Sequence, residues 1–310
     1  MKSFIKKIPV PLAGLMLALA ATGNLLSSYS NFIPYAFGTV SAILLLLLAA
    51  KAVLYPQMLR EDLSNPVMAS VAPTFSMGFM LLASYLVKWN FFLSLGLWYV
   101  GFALHCIFIV YFTIKFMLKF DLKKIFPSCF IVYVGLVVAS ITAPVYQQSA
   151  FGQIVFWFGF ICYLMLLPVI LYRVWKVKQI PEPLFPLNAI FAAPASLCLA
   201  GYISSFTEKN IYLIGFMVIL SLTMYVCVLV VAAKALKAKF HPSFSAMTFP
   251  LVISAIALKQ TNGFLTKAGT PIAILNYIVL IQTVLAVAMV VYVLWRYMKF
   301  LFAPAPNMAK

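Results

Sequence analysis

The acidic side chains of this 310-residue chain limit the chemistry that it can do, because all five lie outside its apolar stretches. They are Glu61, Asp62, Asp121, Glu182 and Glu208. Carboxylates inside a membrane-spanning stretch commonly bind cations or relay protons. The one histidine inside an apolar stretch is His105, which we interpret as a packing residue. The pattern therefore disfavours both a cation site and a proton-coupled carrier.

Motifs for catalysis and metal binding are also absent from the sequence. It contains no HExxH metal motif, no GxSxG nucleophile elbow and no pair of acids within an apolar stretch. The five cysteines are far apart, lie within apolar stretches and form no CxxC spacing: Cys106, Cys129, Cys162, Cys198 and Cys227. We therefore expect no enzyme, no metal site and no cofactor.

The remaining polar side chains of the apolar stretches suit the binding of an anion. An anion needs hydrogen-bond donors and a positive potential, which hydroxyl groups and the amino termini of broken helices supply. The candidate hydroxyl donors are Thr74, Ser76, Ser196 and Ser254. Lys259 is a candidate for an anion-attracting vestibule, and the alternative is a lysine that snorkels to the membrane interface.

The composition identifies the elements that must position these residues as membrane spans. Hydrophobic residues make up 65% of the chain and charged residues 9%, whereas a soluble domain is about half apolar and a quarter charged. The formal charge is +17, and the basic residues separate long apolar runs. This pattern excludes a soluble enzyme, a disordered chain and a free nucleic-acid binder, and it predicts an all-α integral membrane protein.

Ten spans are predicted, in a single transmembrane domain over residues 1–310. Their approximate limits are 9–27, 33–55, 66–87, 91–118, 125–143, 149–174, 184–204, 211–233, 243–260 and 272–297. With ten spans, 18 of the 22 basic residues fall on one side of the membrane, which predicts that both termini are cytoplasmic. We expect a bacterial plasma membrane. The first span also resembles a secretory signal peptide, but the repeat described next favours its retention.

Proline recurs on the odd-numbered spans. Spans three, seven and nine each begin with a proline and carry a second one further in, at Pro73, Pro194 and Pro250. Span five has Tyr133 and Gly135 at the equivalent depth, and span one has Pro11 and Gly14 near its start. Since an interior proline kinks a helix, this alternation predicts five helical hairpins around a central pore, with kinked odd helices inside and even helices outside.

Four segments resemble the tellurite-resistance/dicarboxylate transporter family, which includes bacterial TehA and the slow anion channels of plant guard cells. They are Val10–Leu15, Phe130–Gly135, Pro186–Tyr202 and Thr248–Leu251. Two positions depart from the family pattern. Tyr133 stands where a proline is usual, and Ser245-Ala246-Met247 stand where tryptophans are expected before the Phe-Pro pair.

The resemblance implies a homotrimer with one pore in each subunit, which conducts small anions and is occluded by a phenylalanine at Phe249. Apart from this gate, the candidate lining and kink positions are Pro11, Gly14, Pro73, Thr74, Ser76, Tyr133, Gly135, Pro194, Ser196, Pro250 and Ser254. Two functions stay open, a channel for small inorganic or carboxylate anions and a secondary transporter of a C4-dicarboxylate, sulfite or a tellurite-type oxyanion. The expected partners are small anions and the lipid bilayer, without nucleic acid.

Overall fold

The computed structural model describes residues 2–178 and 180–303, and every regular element within these ranges is helical. Eight helices are long and apolar enough to cross a membrane: Phe32–Leu54, Pro66–Tyr85, Phe91–Met117, Ser149–Val177, Glu182–Ser205, Ile211–Ala235, Pro242–Lys267 and Ala273–Phe302. Two apolar helices are shorter, Leu12–Leu26 and Val137–Tyr146. All ten overlap the predicted spans, so they are called segments one to ten in chain order. The predicted position of the carboxyl terminus lies outside the described residues.

The segment limits differ from the predicted spans chiefly at the ends. Segments nine and ten continue to Lys267 and Phe302, beyond the predicted limits of 260 and 297. Segment five is preceded by a short helix at Cys129–Tyr133 and separated from it by three residues in turns. Three short helices lie outside the segments, at Lys2–Lys6, Pro56–Asp62 and Leu122–Lys124.

Asparagine side chains cap the amino-terminal ends of three segments. The Asn65 side chain accepts a hydrogen bond from the Val67 amide at 2.9 Å, at the start of segment three. Asn90 and Asn210 cap segments four and eight in the same way. These caps satisfy amide groups that the first turn of a helix leaves without a partner.

Burial separates the odd from the even segments. In an 18-residue stretch of segments three, seven and nine, 72%, 89% and 78% of the residues are buried. The corresponding fractions for the even segments lie between 22% and 39%. Segment one packs against three, three against five, five against seven, seven against nine, and nine against one. The odd segments therefore form a closed inner ring, and the even segments present apolar surface to the outside.

The prolines of the inner ring mark the points where its α-helices begin. Pro11 and Pro73 directly precede the helices Leu12–Leu26 and Thr74–Tyr85. Pro194 and Pro250 lie in the first turn of the helices Ala192–Ser205 and Phe249–Lys267, which follow 3-10 helices. Proline is tolerated in a first turn because its missing amide would have no helical partner there. Segments seven and nine therefore change from 3-10 helix to α-helix partway along their length.

Candidate functional site

A cavity of about 50 Å³ lies inside the ring, and residues from the chain around all five odd segments line it. The wall consists mainly of apolar side chains such as Leu17, Met77, Phe130 and Leu197. None of the described residues that line the cavity is charged. The cavity lies at the end of the ring that carries the amino-terminal residues and most of the lysines, which we call the basic end.

Three hydroxyl side chains line this cavity, and each donates its proton to the main chain. The Thr74 hydroxyl donates to the Val71 carbonyl at 2.8 Å, and the Ser245 hydroxyl donates to the Pro242 carbonyl at 3.1 Å. The hydroxyl of Ser243 donates to the carbonyl of Pro183. The first two are local hydrogen bonds of a kind common for Ser and Thr near helix ends. The cavity wall therefore offers lone pairs but no free hydroxyl proton to an anion.

A larger cavity, of about 550 Å³, lies at the opposite end of the ring and is called the vestibule. Its polar side chains include Asn24, Lys259 and Gln260. The Lys259 ammonium donates to the Leu25 carbonyl and to the Ser28 hydroxyl, both at 2.7 Å. Both acceptors are neutral, so the lysine keeps its positive charge uncompensated at the vestibule wall.

Phe249 lies between the two cavities. Among the described residues, Phe249 alone lines both the inner cavity and the vestibule. It is the first residue of its α-helix, directly before Pro250, and its side chain is 7% exposed. Its ring is therefore part of the wall of both cavities.

Five further predicted positions lie in the wall of the inner cavity: Pro11, Gly14, Gly135, Pro194 and Pro250. Thr74 also lines it, although its proton is already committed. At Gly135 an added Cβ would lie 2.2 Å from the Ile131 carbonyl oxygen and 2.7 Å from the Met77 sulfur. The turn after the short helix in the region of span five therefore requires glycine.

The other predicted positions line neither cavity. Pro73 lies at the break in segment three, and the Tyr133 hydroxyl is 2.9 Å from that of Thr113 in segment four. Ser196 and Ser254 are within 2.9 Å of each other and share a buried hydroxyl cluster with Ser221 of segment eight. These four side chains support the breaks and the packing of the segments.

Ser76 belongs to a buried hydrogen-bonded group outside the cavity wall. The sequence did not reveal this group. The Ser76 hydroxyl is 2.8 Å from Nδ1 of His105, which is fully buried. The other ring nitrogen of His105 donates to the Val132 carbonyl at 3.1 Å. His105 thus connects segments three and four to the short helix before segment five, and both its nitrogens have partners.

Asn24 and Gln260 were missed as vestibule residues by reasoning from the sequence. Each is an amide side chain on an odd segment, near the end opposite the basic end, which we call the outer end. This shared position is the signal that could have identified them. The Gln260 side-chain oxygen is buried without a hydrogen-bond partner in the described structure. Within the described residues there is also no cluster of three metal-ligating side chains.

The apolar helices, the closed inner ring and the uncharged cavity together define an integral membrane protein with a central cavity. Comparison with protein families narrows this class. Residues 7–298 match the SLAC1 family, described as voltage-dependent anion channels, and the chain belongs to this family. The match confirms the predicted resemblance and extends over nearly the whole chain. A search of curated proteins finds no match.

Proposed function

We propose that the protein is an anion channel for small inorganic or carboxylate anions, with a pore through each subunit that Phe249 occludes. In this proposal all ten segments cross the membrane as five helical hairpins, and the odd segments surround the pore. Membership of an anion channel family supports the class of the transported ion. The position of Phe249 between the two cavities carries the proposal of a gate.

The electrostatics of the ring support passage of an anion. The α-helices that start at Leu12, Thr74, Ala192 and Phe249 all begin beside the inner cavity. Each helix amino terminus contributes roughly half a positive charge. Since no charged side chain lines the cavity among the described residues, these dipoles dominate its potential. Lys259 adds a positive charge at the vestibule.

A secondary transporter of a C4-dicarboxylate, sulfite or a tellurite-type oxyanion is the second candidate function. The favouring observation is that two cavities at opposite ends meet at a single side chain, as in the occluded state of a carrier. Saturable uptake that carries no current would identify this function. A current whose reversal potential follows the anion gradient would identify a channel.

Three further parts of the proposal concern the assembled protein in the cell. We expect a homotrimer in the plasma membrane of a bacterium, with both termini cytoplasmic, and no enzymatic activity. The lysine-rich loops at the basic end support the orientation. The trimer and the bacterial membrane rest on the family resemblance.

Substitution of Phe249 by alanine tests the gate. Removing the ring joins the two cavities and lets water enter, so we expect anion flux into proteoliposomes to rise about tenfold or more, as expected when a dewetted constriction is opened. Phe264→Ala is the matched control, because Phe264 lies on the same helix and lines neither cavity. Equal flux through wild type and Phe249→Ala, at equal amounts of protein, would contradict the gate.

A further inference from the structure

Three cavities meet at Tyr85, near the outer end of segment three. One is the vestibule. The second, of about 410 Å³, is called the head pocket and is lined by Asn24, Ser27, Asn31, Pro34, Tyr35, Ser84, Tyr85 and Lys88. The third, of about 310 Å³, is called the side groove and lies between segments two, three and four. Tyr85 lines all three, so the three cavities adjoin at its ring.

The Tyr85 ring is held in place from both sides. Its hydroxyl donates to the Ala20 carbonyl in segment one at 2.5 Å. A Cβ added at Gly23 would lie 2.5 Å from this hydroxyl, and one added at Gly38 would lie 2.8 Å from the ring. The two glycines therefore provide the space that the ring fills where the three cavities adjoin.

The free polar groups of the head pocket are hydrogen-bond donors. Lys88 is exposed and has neither an ion pair nor a hydrogen bond within the described structure, and the side-chain amides of Asn24 and Asn31 have no partner there. The Ser27 and Ser84 hydroxyls donate instead to carbonyls of their own helices. An ammonium and two amides around one pocket are complementary to a carboxylate.

The side groove is complementary to an alkyl chain in length and polarity. Its wall includes Leu45, Phe79, Leu82 and Leu97. Along segment two it extends from Tyr35 to Leu45, about 15 Å at the rise of an α-helix. This is about half the thickness of the bilayer core, and so the depth of a single leaflet. Tyr35 and Tyr85 line both the groove and the head pocket, so the two cavities adjoin at these rings.

We propose that the head pocket and the side groove form one binding site for a fatty acid. Its carboxylate binds Lys88 and the Asn24 and Asn31 amides, and its single chain lies in the groove. The head pocket shares Asn24, Ser27, Ser84 and Tyr85 with the vestibule. A bound carboxylate therefore lies at the vestibule entrance and repels anions that approach it. This inhibitory effect rests on the proposed channel function, whereas the binding does not.

Fluorescence of Trp89, which lines the side groove, measures the binding directly. A fatty acid brominated on the carbons nearest its carboxylate should quench Trp89 saturably in the purified protein in nanodiscs. Subtracting the quenching seen with Trp89→Phe isolates this signal from the other tryptophans. The unbrominated acid should compete, and its methyl ester should compete at least about tenfold less well, since it cannot form charged hydrogen bonds.

Two variants separate this site from general partition into lipid. Lys88→Gln should weaken the saturable quenching about tenfold, as expected for loss of a charge-assisted hydrogen bond. Ala42→Phe should weaken it by filling the groove, because Ala42 lies in its wall. Lys267→Gln is the control, since Lys267 is exposed at the same end and lines none of the three cavities. It should bind like wild type.

Quenching that does not saturate, or that is equal in wild type and Lys88→Gln, would overturn the site. Displacement by phosphatidylglycerol at lower concentration than by the fatty acid would also overturn it, in favour of a phospholipid. Anion flux into proteoliposomes, with and without the fatty acid, tests inhibition separately. Saturable binding without inhibition of a measurable flux would overturn only the inhibitory effect. Saturable binding to a protein that conducts no anion would contradict the channel function and leave the site intact.

Discussion

Lys259 shows how one side chain at the vestibule can be fixed in position and still act through its charge. Its ammonium is held by a carbonyl and a hydroxyl, and it also lies over the Tyr29 ring at 5.0 Å from the ring centre. None of these partners carries a negative charge. No carboxylate pairs with Lys259 in the described structure, where the two ion pairs are Lys51–Asp62 and Lys124–Asp121. Its field therefore extends into the vestibule.

Lys259→Gln should reduce anion flux at low ionic strength, because the local anion concentration at the vestibule falls with the positive potential. We expect a reduction of about twofold to fivefold, which shrinks as salt is raised and the Debye length shortens to about 3 Å at 1 M. The measurement is flux in proteoliposomes over a series of salt concentrations. Lys267→Gln, on the same helix, is the control. A reduction that stays constant with salt would show that Lys259 acts by packing.

At the scale of an element, the region of span five contains a helix break that has no proline, whereas the other inner segments have a proline at the corresponding point. The short helix Cys129–Tyr133 ends in turns that contain Gly135, and segment five continues from Val137. His105 donates to the Val132 carbonyl beside this break. In lipid, a carbonyl at a helix break needs a partner from the protein or from water. His105 supplies this partner from a neighbouring segment.

His105→Leu should therefore destabilise the protein by about 1–3 kcal/mol, the usual effect of leaving a buried polar group without a partner. Thermal unfolding in detergent should show a lower midpoint than for wild type. Cys106→Ala is the matched control, because this half-buried neighbour on the same helix makes no hydrogen bond of comparable kind in the described structure. If His105→Leu unfolds at the same temperature as the control, the histidine contributes only packing.

For the whole molecule, the sequence predicted the alternation of segments better than the direction of individual side chains. Hydropathy located the eight long helices, and the prolines identified which segments are buried. Whether a given hydroxyl group faces the cavity was less predictable, since consecutive side chains of an α-helix point about 100° apart. Ser76 therefore faces His105, and Ser196 faces Ser221. The next residues in sequence, Met77 and Leu197, line the cavity.

The sequence indicated Lys259 as a vestibule residue, but the rest of the vestibule wall could not be predicted in the same way. Its wall combines Asn24, Lys259 and Gln260, which come close together only when segment nine packs against segment one. Asn24 and Lys259 are separated by about three quarters of the length of the chain. Hydropathy and local spacing carry no information about such a contact. A count of lysines and arginines, by contrast, predicts the membrane orientation, and this prediction can be tested directly.

Single cysteines introduced into a cysteine-free protein test the orientation. Lys88 and Lys176 are both exposed, at opposite ends of the segments. If the basic end is cytoplasmic, as the loop charges predict, a membrane-impermeant maleimide should label Lys88→Cys in intact cells. It should label Lys176→Cys only after the membrane is permeabilised. The reverse pattern would contradict the proposed orientation.

The inner cavity also predicts which anions the whole molecule conducts best. An anion that enters it loses hydration water, and the wall returns no hydroxyl proton because Thr74, Ser243 and Ser245 all donate to carbonyls. The helix dipoles attract every monovalent anion to a similar degree. Discrimination therefore depends on the cost of removing water, which is smallest for large anions that hold water weakly.

We accordingly expect permeability to decrease from nitrate to chloride to fluoride, with a ratio of about tenfold or more between the first and the last, since a difference of 1.4 kcal/mol in desolvation already gives a factor of ten. Reversal potentials under two-anion gradients measure this order. Phe249→Ala should raise the currents and keep the order, because the ring closes the route without binding the ion. A preference for fluoride over nitrate in both proteins would mean that the open cavity presents donors to the ion. The hydroxyls that now donate to Val71, Pro183 and Pro242 would then have to turn inward on opening.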